Sequence, residues 1–327
     1  MHHRVVRLAA PVGPEGLSFQ DEPVPEPGPG EVAHTMRTLG LNRADAMFAR
    51  GTYLVEPGPD APVGLEGVGI VRALGDGVEG LEIGQRVVAL TPLAVGARGL
   101  AAEVAVVEAS QVLPEIPGLD DESLAAFWIA YGTAYAGLLR HAQLRAGETV
   151  LVTAASSSVG LAAIQVARHV GARVVVTTRS GAKRDALLAA GADRVIATDH
   201  EPIEGVDETF DVVFDAVAGS FVERVVTRMA PRGRLVLYGI LSGEPTPLPL
   251  FPTIVGALRI TGMHFGYHVL AEPRAREAVV RALRQQAADG VYTPTVDATW
   301  PFDDIDKAYA YLERSNQVGK VVVQISP

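Results

Sequence analysis

The chain has 327 residues, 48% of them hydrophobic and 20% charged, which suffices for two packed cores. A formal charge of −10 argues against a nucleic-acid partner, whose binders carry a basic face. There is no cysteine, so disulfides and thiolate-held metals are excluded; no stretch reaches the roughly 18 uninterrupted apolar residues of a membrane span, and a cytoplasmic protein is expected.

Residues 4–110 read as short strands punctuated by Pro and Gly. "PVPEPGPGEVAHTMRTLGLN" passes from a turn-rich run into an alternating strand, and "GLEGVGIVRALGDGVEGLEIGQRVVAL" alternates strands with tight Gly turns, the texture of a small barrel. Near residue 118 this changes. "GLDDESLAAFWIAYGTAYAGLLRHAQ" opens on acids and Ser, then places apolar residues at helical spacing. A strand over 149–154, a helix over 159–170, a strand over 173–177 and a helix over 182–190 follow. Then come "RVIAT", "FDVVFDAV", the helical "SFVERVVTRMA" and "GRLVLYG". Strands alternating with helices predict a parallel sheet with helices on both faces. A Pro-rich connection leads to the strand "LRITGMHF", a helix over 272–289, a strand, a helix over 304–315, and the closing "GKVVVQI".

The segment "LVTAASSSVGLAAIQVARHVGARVVVTTRS" has the strand–loop–helix order of a dinucleotide site, with one glycine where the usual fingerprint has three. Helix-start N–H groups and the helix dipole attract a pyrophosphate, provided that no side chain holds it away. Ser156, Ser157 and Ser158 are small and carry hydroxyl donors, Val159 opens the helix, and Gly160 stands where helix and strand must pack closely. An ordinary small-residue turn has the same composition. An NAD-specific site would place an acid at the end of the next strand. This chain has "TTRSGAKR" there: Thr178, Arg179, Ser180 and Lys183 suit a 2′-phosphate, although a solvated basic helix start would read alike. NADPH is therefore the expected cofactor. Ala216, Val217 and Ala218, with Gly239 and Ile240, follow two further strands, at whose carboxyl ends ligands bind.

"GLNRADAMFARGTY", "GLEGVGIV", "GQRVVAL", "YGTAYAGL", "FDVVFDAVAG" and "GKVVV", in this order around the loop, resemble the medium-chain dehydrogenase/reductase family in its zinc-independent quinone-oxidoreductase branch, which includes zeta-crystallin-like proteins. The resemblance runs essentially end to end. It implies an α/β protein: a GroES-like β-rich catalytic domain, residues 1–118 plus 265–327, with an inserted Rossmann doubly wound parallel-sheet domain, residues 119–264. It also implies NADPH in the cleft between them, hydride transfer, and homodimers. An uncovered edge strand at "LRITGMHF" would serve the pairing.

Zinc-using relatives hold their metal with Cys and with the His of a Gly-His-Glu motif. Here that motif reads Gly64-Leu65-Glu66, so Glu66 is expected to be a structural carboxylate, with a catalytic role as the alternative. His264 and His268 are four apart with Gly266 between them and no third ligand, so no metal is expected. Without a Lewis acid, hydride addition to an activated alkene or quinone is easier than carbonyl reduction, because the developing enolate or phenolate needs only hydrogen bonds and a proton. The substrate is expected to be a small molecule: an enone, enal, quinone or enoyl thioester. A non-redox member repurposed for cyclisation, rearrangement or cofactor binding is the alternative, and a zinc alcohol dehydrogenase a remote third.

The resemblance places Asn42 beside the nicotinamide and substrate, although Asn there also suits a helix cap. It makes Tyr53 a proton donor or enolate stabiliser, against a plain packing role. Met47 stands where some quinone reductases carry tyrosine, which makes the pocket more apolar. Thr133 matches a threonine near the nicotinamide, and Tyr131 falls where many relatives have a small residue, as a second candidate acid. Asn316, Gly319 and Lys320 match the segment that closes over the cofactor, with Lys320 equally readable as a surface charge. The substrate pocket is expected from loops 50–62, 92–100 and 242–257.

Overall fold

The computed structural model describes residues 1–91 and 95–325. Of the expected substrate loop 92–100, residues 92–94 lie outside the described residues. The chain divides into two compact units, Met1–Trp128 with Pro294–Pro327, and Ile129–Thr293. The first begins with β1 (His2–Leu8), β2 (Leu17–Pro23) and β3 (Glu31–Leu41), then α1 (Arg43–Ala49). It continues through β4 (Ala61–Pro62), β5 (Glu66–Leu74), β6 (Arg86–Leu90), β7 (Val104–Glu108), β8 (Val112–Pro114) and α2 (Asp121–Ala125).

The helical texture from residue 118 is broken rather than continuous. Asp120 caps α2 by accepting from the Ser123 N–H at 2.8 Å, α3 (Trp128–Tyr135) follows, and a π-helical turn covers Ala136–His141. The second unit then lays down β9 (Thr149–Val152), α4 (Ser158–Val170), β10 (Arg173–Thr178), α5 (Arg184–Ala189), β11 (Arg194–Ala197) and β12 (Phe210–Asp215). It is completed by α6 (Ser220–Val226), β13 (Met229–Leu237), α7 (Leu250–Val255), β14 (Arg259–Gly262) and α8 (Pro273–Ala288). The Pro-rich connection thus contains a short helix that the sequence reading missed. The sheet order is β11-β10-β9-β12-β13-β14, with every neighbouring pair parallel. That is the doubly wound arrangement, and its order reverses between β9 and β12. Its strands bury Val150–Val152, Val174–Val176 and Val212–Phe214 on both faces, which is why they read as unbroken apolar runs.

The chain then returns to the first unit with β15 (Val296–Pro301), α9 (Ile305–Arg314) and β16 (Lys320–Gln324). β16 pairs antiparallel with β3, giving a seven-stranded sheet in the order β15-β16-β3-β5-β6-β8 with β7 added to β3. β1, β2 and β4 form a separate small sheet. The core between them is aliphatic, with Met36, Leu39, Val71, Val107 and Tyr309 among its buried members.

The unit boundaries differ from those expected, 118/119 and 264/265. Residues 119–128 join the first unit, where the Trp128 indole donates to the Pro114 carbonyl at 3.2 Å. Residues 265–293 join the second, where Phe265 fills the space left by the missing side chain of Gly132 and Tyr292 packs on Tyr131 at 5.3 Å between ring centres. Among the described residues no helix is long and apolar enough to cross a membrane.

Candidate active site

In the second unit, the loop after β9 turns into α4 under a local cap. The Ser157 hydroxyl accepts from the Gly160 N–H at 3.0 Å. A Cβ on Gly160 would lie 2.5 Å from the Ala155 carbonyl oxygen, so only glycine lets the first helical turn close on the loop. The close approach is to the loop residues Ala154 and Ala155, beyond the end of β9, rather than to the strand itself. Ser158 and Val159 form the half-buried start of the 13-residue α4, whose dipole points its positive end at the loop. The Ser156 hydroxyl accepts from the Lys183 ammonium at 2.9 Å, tying the loop to the basic segment after β10. Thr178 is buried at the end of β10, while Arg179 and Ser180 are exposed. Among the described residues the Arg179 guanidinium makes no hydrogen bond or ion pair.

At the ends of β12 and β13, Ala216 and Ala218 are buried and Val217 is half-buried. A Cβ on Gly239 would lie 2.8 Å from the Ala216 carbonyl oxygen, so the two strand ends come together only because that residue is glycine. Ile240, next along, is 53% exposed. The polar residues that hold this corner are Thr153 and Asp215, neither of which the sequence reading selected. Burial pushes the Asp215 carboxyl up, and hydrogen bonds from Thr153, Ala218 and Val217 pull it back down. The available signal was an acid closing the apolar run "FDVVFD".

Thr133 is buried on α3. Tyr131, on the same helix, is also buried; its hydroxyl donates to the Gln165 carboxamide at 2.9 Å. Gln165 is itself engaged with both backbone groups of Thr293, at 2.9 Å each. Burial pushes the Tyr131 pKa well above that of an ordinary phenol. The phenol is committed to the packing of this unit, contrary to its expected place among the acids.

In the first unit, Asn42 caps α1. Its backbone N–H donates to Asp45 at 2.8 Å, and its Nδ2 donates to the Gly40 carbonyl at 3.0 Å. Its Oδ1 accepts from the Lys320 ammonium at 2.8 Å. Lys320 also pairs with Glu66 at 2.6 Å, and both of those side chains are fully buried. Lys320 is therefore no surface charge, and its ammonium is directed at Glu66 and Asn42. Glu66 is thus held in a buried ion pair inside this unit. Burial pushes the neighbouring Asp45 carboxyl up to about 7. Tyr53, in the bend after α1, packs half-buried against the core of this unit. Gly319 is buried beside Lys320 in sequence, while Asn316 is exposed. Among the described residues no group of three or more His, Asp or Glu side chains is arranged to hold a metal ion.

Residues 28–118 match the alcohol dehydrogenase GroES-like domain family, and residues 158–284 match the zinc-binding dehydrogenase family. The synaptic vesicle membrane protein VAT-1 homolog of Homo sapiens is 31% identical over 96% of this chain and 84% of its own length. The chain belongs to the medium-chain dehydrogenase/reductase family. Within that family it is similar to prostaglandin reductase-3 of Bos taurus, 31% identical over 100% of this chain and 90% of the relative. A solved quinone oxidoreductase from Thermus thermophilus, also described in complex with NADPH, superposes with a TM-score of 0.83 at 31% identity. That match covers 98% of this chain and 100% of the relative, which puts this dehydrogenase/reductase in the quinone-oxidoreductase branch. That family is one of oxidoreductases, built on a GroES-like domain and a nicotinamide-cofactor-binding fold.

Proposed function

We propose that the protein is an NADPH-dependent reductase that adds hydride to an activated alkene or quinone without a metal. The observation that carries the cofactor choice is the pair Arg179 and Lys183 after β10, where an NAD site would place an acid. The residues fit the group: Gly160 and Gly239 keep two close approaches open, Ser156–Ser158 line the start of α4, and Arg179 is an exposed cation without a counter-charge among the described residues. When bound, the cofactor supplies hydride.

This chain's own residues must supply what hydride addition then requires, a donor for charge developing on oxygen and a proton for carbon. In the first unit the Asn42 carboxamide is fixed, because an ammonium can only donate and Lys320 therefore selects the Oδ1 side. Its Nδ2 keeps one hydrogen beyond the bond to Gly40. The Tyr53 hydroxyl is the proposed acid; Tyr131 is withdrawn from that role by its burial. Leu65, standing where the zinc-binding imidazole would be, supports the metal-free reading. So does the want of any cysteine ligand.

We also propose a homodimer formed through β14. The strand is the outer member of its sheet, and α7 just before it exposes Leu250, Phe251, Ile254 and Val255, apolar surface that suits a second copy.

The test is NADPH oxidation by the purified protein across enones, enals, quinones and enoyl thioesters. Turnover of at least one class with NADPH, reduced about 100-fold or more in Tyr53→Phe at unchanged NADPH affinity, is expected. No turnover in any class would favour the non-redox alternative.

A further inference from the structure

Asp215 is fully buried at the end of β12, and Thr153 is fully buried just after β9, on the two strands between which the sheet order reverses. The Thr153 hydroxyl donates to Asp215 Oδ1 at 2.6 Å and accepts from the Ala216 N–H at 2.9 Å. Asp215 Oδ1 also accepts from the Val217 N–H at 3.1 Å, and Oδ2 from the Ala218 N–H at 2.8 Å. Three consecutive backbone donors are thus turned inward onto two side chains. The carbonyls of the same segment are fastened from the other side: Ala216 accepts from the Leu241 N–H and Val217 from the Ser242 N–H, each at 2.9 Å.

The local backbone needs this restraint. Ala218 has φ +59° and Gly219 φ +61°, so a residue with a Cβ sits in the left-handed region. All the donors around Asp215 point at it, which suits an ionised carboxylate held by dipoles rather than by a cation. Along the segment Val217 packs half-buried against the core of the unit, and the loop tied to it carries Ile240, which is 53% exposed.

We propose that Thr153 and Asp215 are positioning residues for the cofactor: together they set the backbone of Ala216–Ala218 and, through it, the loop of Gly239 and Ile240 against which the cofactor's nicotinamide half is held. This rests on the NADPH reading above. It divides the cofactor between two independently built parts of the unit. Arg179 and Lys183 serve the adenosine end, and the Thr153–Asp215 pair serves the other.

The experiment compares binding of NADPH and of adenosine 2′,5′-bisphosphate, which carries only the adenosine end, to the wild-type protein, Thr153→Val and Asp215→Asn. Thr153→Val keeps the shape of the side chain and strips partners from Asp215 and the Ala216 N–H. We expect both variants to weaken NADPH about tenfold while leaving the bisphosphate within about twofold, with Tm changed by only a few degrees. Unchanged NADPH binding in both variants overturns the proposal. So does parallel loss of both ligands, or loss of the fold, since either assigns the pair to the stability of the unit alone. A wild-type protein that binds neither ligand rejects the cofactor reading itself, and the proposal falls with it.

Discussion

Two cations that the sequence offers for the same task have opposite fates. Lys320 in the first unit is fully buried, with its ammonium between Glu66 and Asn42. Arg179 in the second is exposed and has no counter-charge among the described residues. A buried cation is stable only with its partner in place, so its charge is already spent on the protein. An exposed, unpaired guanidinium costs the fold nothing and keeps its hydrogen-bonding fork for a ligand. The difference teaches that a basic residue near a site is informative only once its counter-charge is known.

The largest effect expected from this contrast follows removal of Lys320. Lys320→Met leaves Glu66 buried without its ammonium, a change that typically destabilises by about 3–5 kcal/mol. Both tryptophans of the chain, Trp128 and Trp300, lie in the first unit, so their fluorescence in a urea titration reports on this unit directly. The double variant Lys320→Met, Glu66→Gln is expected to recover part of the loss. A Lys320→Met midpoint equal to wild type would erase the distinction between the two cations.

His34 sharpens the same contrast, because it is a buried titratable group stabilised by staying neutral. It is fully buried on β3, neither ring nitrogen has a hydrogen-bond partner among the described residues, and burial pushes its pKa down to about 4. The unfolded chain, with an ordinary imidazole near 6.5, binds the proton more readily. Its contribution is therefore present above pH 6.5 and is lost as pH falls from there towards 4, amounting to about 3 kcal/mol. In His34→Leu that part of the acid loss should vanish, read as the tryptophan-detected urea midpoint against pH. The same slope in variant and wild type would place the acid sensitivity elsewhere.

The legible and the hidden parts of this protein separate along physical lines. The parallel sheet was visible because strands buried on both faces are written as unbroken apolar runs, as in "TVLV" and "FDVVFD". Gly160 was visible because strand, small loop and helix follow one another within a few residues. The fate of Lys320 was hidden because its partner Glu66 lies 254 residues away in the chain, and spacing carries no information about such a pair. Tyr131 was misassigned for the same reason: its partner Gln165 sits on a different helix, and a phenol's burial depends on neighbours that local pattern does not name. Unit boundaries were misjudged where a single aromatic, Trp128 or Phe265, decides which side a segment packs on.

The smallest expected effect concerns the second cation. Arg179→Ala removes an exposed side chain that contacts nothing charged, so stability should stay within about 0.5 kcal/mol of wild type. NADPH affinity should nevertheless fall about ten- to a hundredfold, the loss of roughly 1.5–3 kcal/mol that goes with one charge-assisted phosphate contact. NADH lacks the 2′-phosphate, so its affinity should hardly change, and the preference between the two cofactors should narrow by nearly the whole factor. Lys183→Met is the internal control, because the Lys183 ammonium also donates to Ser156. Its removal should disturb the phosphate loop and weaken both cofactors, NADPH more than NADH. Isothermal titration of the two cofactors against the two variants separates a 2′-phosphate contact from a general electrostatic one. Equal losses for NADPH and NADH in Arg179→Ala would mean that the guanidinium acts on the pyrophosphate or on the net field of the site, and the assignment of NADPH from this residue would fall.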